Sequence, residues 1–215
     1  MTTDYNLLKI WTLNAERVRH HRIIRYVLII ANLIIWGMAL LLLQSCEPAV
    51  EPVREFLVRK GEYYSVPRVS ETLQSQKLIF DARFNESAVY DLGDPAVQCN
   101  KNKLMGFCDC NSLVHENSAR FAWQWNNNRL EIYGYCYANG VRAEQFVGVA
   151  PLNEYSHYEL EIKGNSYVFT LNNEAPVSMK RGTTSGVGFY YKLWPYFGGD
   201  IAAPHDVTID IKAIY

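Results

Sequence analysis

The alternation of apolar and polar positions divides the chain into three stretches. From Val27 to Leu43 no residue is charged, and this apolar run of about 17 residues sits at the low edge of what spans a bilayer core. Residues 47 to 75 show little sustained periodicity. Pro48, Pro52 and Pro67 stand there among charged residues, which reads as a spacer with room for a short helix around Val53 to Lys60. From residue 76 to 215 the period is two, and turn residues interrupt it every ~8–12 positions, as in an all-β domain.

Within that domain the strands can be placed and their faces assigned. Leu78, Phe80, Ala82 and Phe84 alternate with Ile79, Asp81 and Arg83 in a first strand. Arg120 to Trp125, Arg129 to Ala138 and Val141 to Val149 follow, joined by Asn126-Asn127 and Asn139-Gly140, residues that accept the positive φ of a two-residue hairpin turn. The register set by Asn139-Gly140 puts Tyr137 opposite Arg142, Tyr135 opposite Glu144 and Tyr133 opposite Phe146. Leu130, Ile132, Cys136, Ala143, Val147 and Val149 then share the core side, with Phe121 and Trp123, while Arg120 and Gln124 join the tyrosines. Tyr158 to Lys163 and Ser166 to Leu171 form a further hairpin through Gly164-Asn165, apolar on one face and ordinarily polar on the other. In the strand from Gly186 to Trp194, Val187, Phe189, Tyr191 and Leu193 are expected inward, with Tyr190, Lys192 and Trp194 opposite. Asp206 to Ile214 closes the domain. The expected fold is an all-β, antiparallel two-sheet jelly-roll sandwich with an aromatic outer face on one sheet, preceded by an N-terminal signal helix and a tether.

Ahead of the apolar run stand Lys9, Arg17, Arg19, Arg22 and Arg25 against only Asp4 and Glu16, the layout of a secretory signal. The run ends in Leu43-Gln44-Ser45-Cys46, which resembles the lipobox of bacterial lipoproteins, where the cysteine is acylated and becomes the new N-terminus. The resemblance implies a signal over residues 1 to 45, lipidation of Cys46, a tether over 46 to 75, and an anchored domain in the bacterial cell envelope, outside the cytoplasm. A retained signal-anchor helix gives the same topology, because the positive flank stays inside.

With five of the 21 basic and two of the 22 acidic residues in the leader, the rest of the chain is formally −4. That balance argues against nucleic acid or anionic lipid as the main partner. Cys99, Cys108, Cys110 and Cys136 form an even set, which permits disulfides in an oxidising envelope. Cys108 and Cys110 are too close to favour each other, so a bridge from either to Cys99 or Cys136 is expected. Zinc bound by Cys99, Cys108, Cys110 and His115 is the rival reading, with no recognised spacing behind it. No cofactor is called for. Calcium beside Gly198-Gly199 is the alternative, with oxygens offered only by Asp200, Asp206 and either Asp91 or Asp94.

The hairpin His157 to Asn172 resembles the paired strands of concanavalin A-like lectin and glucanase domains. The closing Tyr190 to Asp200 and Ala203 to Asp206 are similar to segments of Bacteroidota lipoproteins. The resemblance implies a carbohydrate-facing concave sheet. Aromatic platforms with planar hydrogen-bonding groups suit sugars, and Arg120, Tyr133, Tyr135, Tyr137, Arg142, Glu144, Tyr190 and Trp194 are the candidate ligand-binding set. The primary reading is a non-catalytic, lipid-anchored glycan-binding protein. A second is a structural subunit docking on an envelope protein through the same aromatics. A third is a polysaccharide hydrolase using Glu131 and Glu144, or a lyase using His115 or His205 with Tyr and Arg partners.

Overall fold

In a computed structural model the described residues are Arg25, 28–36, 52–184 and 188–214. The chain divides into two units, Met1–Glu47 and Pro48–Tyr215. In the first, Arg25 and residues 28–36 are helical, and Asn32 donates to the Leu28 carbonyl at 3.0 Å. Among the described residues no helix is long and apolar enough to cross a membrane. The lipobox and Cys46 lie outside the described residues.

The second unit is a two-sheet antiparallel jelly-roll sandwich. Its strands are β1 (Arg54–Val58), β2 (Ser65–Val66), β3 (Thr72–Leu73), β4 (Lys77–Phe84), β5 (Asn102–Cys108), β6 (Ser118–Asn126), β7 (Arg129–Ala138), β8 (Val141–Ala150), β9 (Tyr155–Lys163), β10 (Ser166–Leu171), β11 (Val177–Lys180), β12 (Tyr190–Leu193) and β13 (Val207–Ile214). A seven-stranded sheet runs β11-β10-β9-β4-β13-β1-β2, and a six-stranded sheet runs β3-β12-β5-β6-β7-β8. Residues 54–73, read as spacer with a short helix, therefore supply three strands. β1 pairs along its length with β13, Phe56 opposite Ile209, and Phe56 and Val58 are buried. Prolines and charges hid an edge that is only half apolar.

Alternation set the faces correctly where a tight turn fixed the register. Leu78, Phe80, Ala82 and Phe84 are buried, as are Tyr158, Leu160, Ile162, Tyr167, Phe169 and Leu171. They meet Phe121 and Trp123 of the other sheet: Phe84 meets Trp123 edge-on at 5.1 Å, and Phe121 meets Phe169 edge-on at 5.1 Å. A buried phenylalanine of this kind is worth about 3–5 kcal/mol against alanine. The β6–β7 turn is Asn127-Asn128, both at positive φ, one residue beyond the expected turn. A two-residue turn moved by one shifts pairing by two, so the faces survive. Leu130, Ile132 and Cys136 face the core and the three tyrosines of β7 do not.

Two face assignments need correction. A bulge between Ile132 and Tyr133 on the β7–β8 ladder brings Gly148 and Ala150 inward and leaves Val149 opposite Glu131, 40% exposed. Ala143 is exposed as well, because β8 is the sheet's last strand. β12 has the opposite parity to that expected: Lys192 pairs with the buried Phe107, Tyr190 packs on the same ring at 5.7 Å, and Phe189 and Tyr191 are exposed. An inward lysine is tolerated because its ammonium reaches Glu71 at 3.1 Å, and Glu71 comes from the segment read as spacer. Val187 lies outside the described residues. Among the described residues Cys99, Cys108 and Cys136 are free thiols, so neither Cys108 nor Cys110 is bridged to Cys99 or Cys136 as expected. Their spacing could not reveal that β5 and β7 carry Cys108 and Cys136 at buried, separate positions.

Candidate functional site

The outer face of the six-stranded sheet holds a cleft of about 520 Å3. Its floor is Arg120 of β6, Tyr135 of β7, Lys103 of β5 and Lys192-Leu193 of β12, and its walls come from Tyr64-Ser65, Pro67 to Val69, Val114-His115, Trp194 to Tyr196 and Gly198-Gly199. Cross-strand pairing assembles the floor: Arg120 lies opposite Tyr135 on one side and Gly106 on the other. Gly106 has to be glycine, since a β-carbon there would collide with the Ala119 carbonyl and with the Arg120 side chain that crosses it.

Arg120 is 8% exposed, and its Nε is buried without a hydrogen-bond partner. Its guanidinium lies 5.6 Å from the Tyr135 ring centre. Burial lowers its pKa, although a guanidinium stays charged. Lys103 is equally buried and donates to the carbonyls of Lys101 at 2.7 Å and Gly198 at 2.9 Å, beneath the Tyr135 ring at 4.8 Å. Burial, then the charges of Arg120 and Arg142, push its pKa down to about 8. Tyr135 moves the other way, to about 12, through burial and then the neighbouring Tyr137 phenol. The cleft's floor therefore sets cationic donors beside a neutral phenol. Among the described residues that line it, none is Asp or Glu.

The other end of the same face is a closed network. Glu131 accepts from Gln124 at 2.7 Å, Tyr133 at 2.9 Å and Arg129 at 2.7 Å, and Lys101 donates to Gln124 at 2.9 Å and stands 3.6 Å from Glu144. Burial would raise the Glu131 pKa, but these hydrogen bonds outweigh it and hold the carboxyl below its ordinary value. A carboxyl held ionised in this way is not suited to the general-acid role that a hydrolytic pairing with Glu144 would require of one partner.

Of the eight expected ligand-binding residues, Arg120, Tyr135 and Trp194 line the cleft. Trp194 does so from the core side, stacked on Phe56 at 5.1 Å, so its expected outward parity is corrected. Tyr190 belongs to the interior on Phe107 and is corrected with it. Tyr133 joins the Glu131 network, Tyr137 packs on His115 at 5.1 Å, and Arg142 and Glu144 are exposed at the registers expected. His115, named for a lyase, lines the cleft, whereas His205 bonds the Ser87 carbonyl at 2.8 Å elsewhere.

Lys103, Tyr64, Arg68, Leu193 and Tyr196 were missed. β5 itself was overlooked because Lys101-Asn102-Lys103 and a bulge between Lys103 and Gly106 break its alternation. The apolar run Leu104-Met105-Gly106-Phe107-Cys108 was the available signal.

No metal cluster of three or more His, Cys, Asp or Glu occurs among the described residues. Of the four acids considered for calcium, Asp206 accepts from the Lys60 amide, Asp91 from Gly93 and Asp94 from Ala96, while Asp200 accepts from Tyr63 through its backbone carbonyl.

No protein-family model matches the chain, and no curated protein matches it. Similar solved structures include the β-glucanase of Bacillus licheniformis, at 12% identity and TM-score 0.46 over 74% of this chain and 77% of that one. A glycoside hydrolase family 16 endo-glucanase from Bacteroides ovatus gives 12% and 0.43 over 80% and 86%. An alginate lyase gives 9% and 0.47 over 76% and 75%. At these identities the likeness extends to the fold alone.

Proposed function

We propose that the domain binds a saccharide in the cleft over Arg120 and Tyr135 without transforming it, and that lipid on Cys46 holds it at a bacterial envelope membrane outside the cytoplasm. The carrying observation is the lining: the rings of Tyr64, Tyr135, Trp194 and Tyr196 stand beside the donors Arg120 and Lys103, with no carboxylate among them. Rings cover the CH faces of a sugar and cationic donors hold its oxygens. Glycoside hydrolysis by the usual route needs two carboxyls facing the ligand.

The position of His115 on the same cleft favours a second reading, elimination from an acidic sugar, in which Arg120 would neutralise a carboxylate and Tyr135 or His115 would take a proton. Tyr135 argues against its own part. At a pKa of about 12 only ~10⁻⁵ of it is tyrosinate at neutral pH.

A glycan array probed with the full chain tests the primary reading, alongside Leu193→Trp, which narrows the cleft. Binding to at least one saccharide, weakened tenfold or more by Leu193→Trp, is the expected result. Absence of binding across the array overturns it. Appearance of unsaturated products with time turns the proposal to elimination.

A further inference from the structure

Resting on the saccharide reading, we propose that the ligand carries an anionic group, carboxylate or sulfate, and that this group docks on the guanidinium of Arg120 beside Lys103. The reason lies in how this protein treats its other buried cations. Lys192 reaches Glu71 at 3.1 Å, Lys101 stands 3.6 Å from Glu144, and the largely buried Arg181 holds Asp109 at 2.6 Å. Arg120 and Lys103 differ from them. Both are 8% exposed, and among the described residues neither has a carboxylate within ion-pair distance.

A cation taken out of water without an anion is strongly unfavourable, and natural structures avoid it unless something else supplies the charge. Here two such cations line one open cleft. Burial and then the charges of Arg120 and Arg142 loosen the Lys103 proton, against an opposing pull from Glu144 and Asp200, neither of which is within ion-pair distance. One of the three ammonium donors of Lys103 remains after its two carbonyl bonds, and Arg120 Nε is buried and unbonded. A planar anion would satisfy Arg120 through its fork while the sugar ring lay on Tyr135.

The formal −4 of residues 46 to 215 makes this a local attraction and not a property of the surface. A neutral sugar would leave the pair uncompensated. Nucleic acid would meet a negative domain outside the cleft.

Titration calorimetry on the full chain tests the proposal with three oligosaccharides of equal length: a uronate, a sulfated one and a neutral glucan. Each is run on the unmutated protein, on Arg120→Met and on Lys180→Gln, an exposed position on β11 at the edge of the other sheet. We expect the anionic oligosaccharides to bind, Arg120→Met to weaken them about 10- to 100-fold, and Lys180→Gln to change them less than about threefold. Whichever of uronate and sulfate binds more tightly identifies the source of the anion. Equal binding of neutral glucan, unaffected by Arg120→Met, overturns the anionic group and leaves the saccharide reading standing. No binding of any of the three, nor of any glycan on the array, removes that reading and this inference together. Thermal unfolding of Arg120→Met guards against misfolding: a variant as stable as the parent that no longer binds supports the proposal.

Discussion

Two ends of one sheet face, a few residues apart, are built from the same residue types to opposite effect. At one end Glu131, Gln124, Tyr133, Arg129 and Lys101 satisfy one another. At the other, Arg120 and Lys103 are cationic donors with no carboxylate within ion-pair distance, beside the neutral phenol of Tyr135. On β6 the difference is Gln124 against Arg120, and on β7 it is Glu131 against Tyr135. A closed polar network fixes strand geometry and offers nothing to a ligand. An open one is less stable by itself and gains by capturing what it lacks.

The largest expected effect separates the ends by stability. Glu131→Leu should destabilise the domain by about 2–4 kcal/mol, because several donors lose a common buried acceptor. Chemical denaturation measures it, and a loss under 1 kcal/mol would mean that the closed network is ornamental.

Next comes pH. The folded pKa of Lys103 is about 8, below its unfolded value near 10.5, so the unfolded chain binds the extra proton between these values. The penalty is therefore full below pH 8 and is relieved as pH rises toward 10.5, by ~3 kcal/mol at most. Tyr135, raised, acts in the opposite sense from about pH 10 upward, so the usable window is 8 to 10. In that window the unmutated domain should gain stability relative to Lys103→Met. Parallel pH profiles would show that Lys103 keeps an ordinary pKa.

The smallest effect belongs to the exposed rim. Arg142→Gln should leave stability within ~0.5 kcal/mol and should lower the affinity for an anionic sugar only slightly, more at low salt than at high. An effect as large as that of Arg120→Met would move the site toward β8.

Much of this face was legible in the sequence because Asn139-Gly140 pins one hairpin and a two-residue turn preserves parity between β6 and β7. Tyr133, Tyr135, Tyr137, Arg120 and Gln124 were placed on the outer side for that reason. What distinguishes Arg120 from Gln124, or Tyr135 from Tyr133, was not legible, since it depends on which neighbours arrive from β5 and from residues 64–69. Those come from strands whose own pattern is broken, β5 by its bulge and two lysines, and β2 by its length of two residues. β12 misled for a related reason. An alternation of Phe, Tyr and Leu against Tyr, Lys and Trp favours the wrong face unless Glu71 is known to neutralise Lys192.

The uncompensated charge of Arg120 is tested most directly by unfolding the full chain and its Arg120→Met variant, each with and without a saturating uronate oligosaccharide. The account predicts that without ligand the variant is as stable as the parent or more so, and that the ligand raises the melting temperature of the parent alone. A variant clearly less stable than the parent without ligand, yet still stabilised by the uronate, would contradict it.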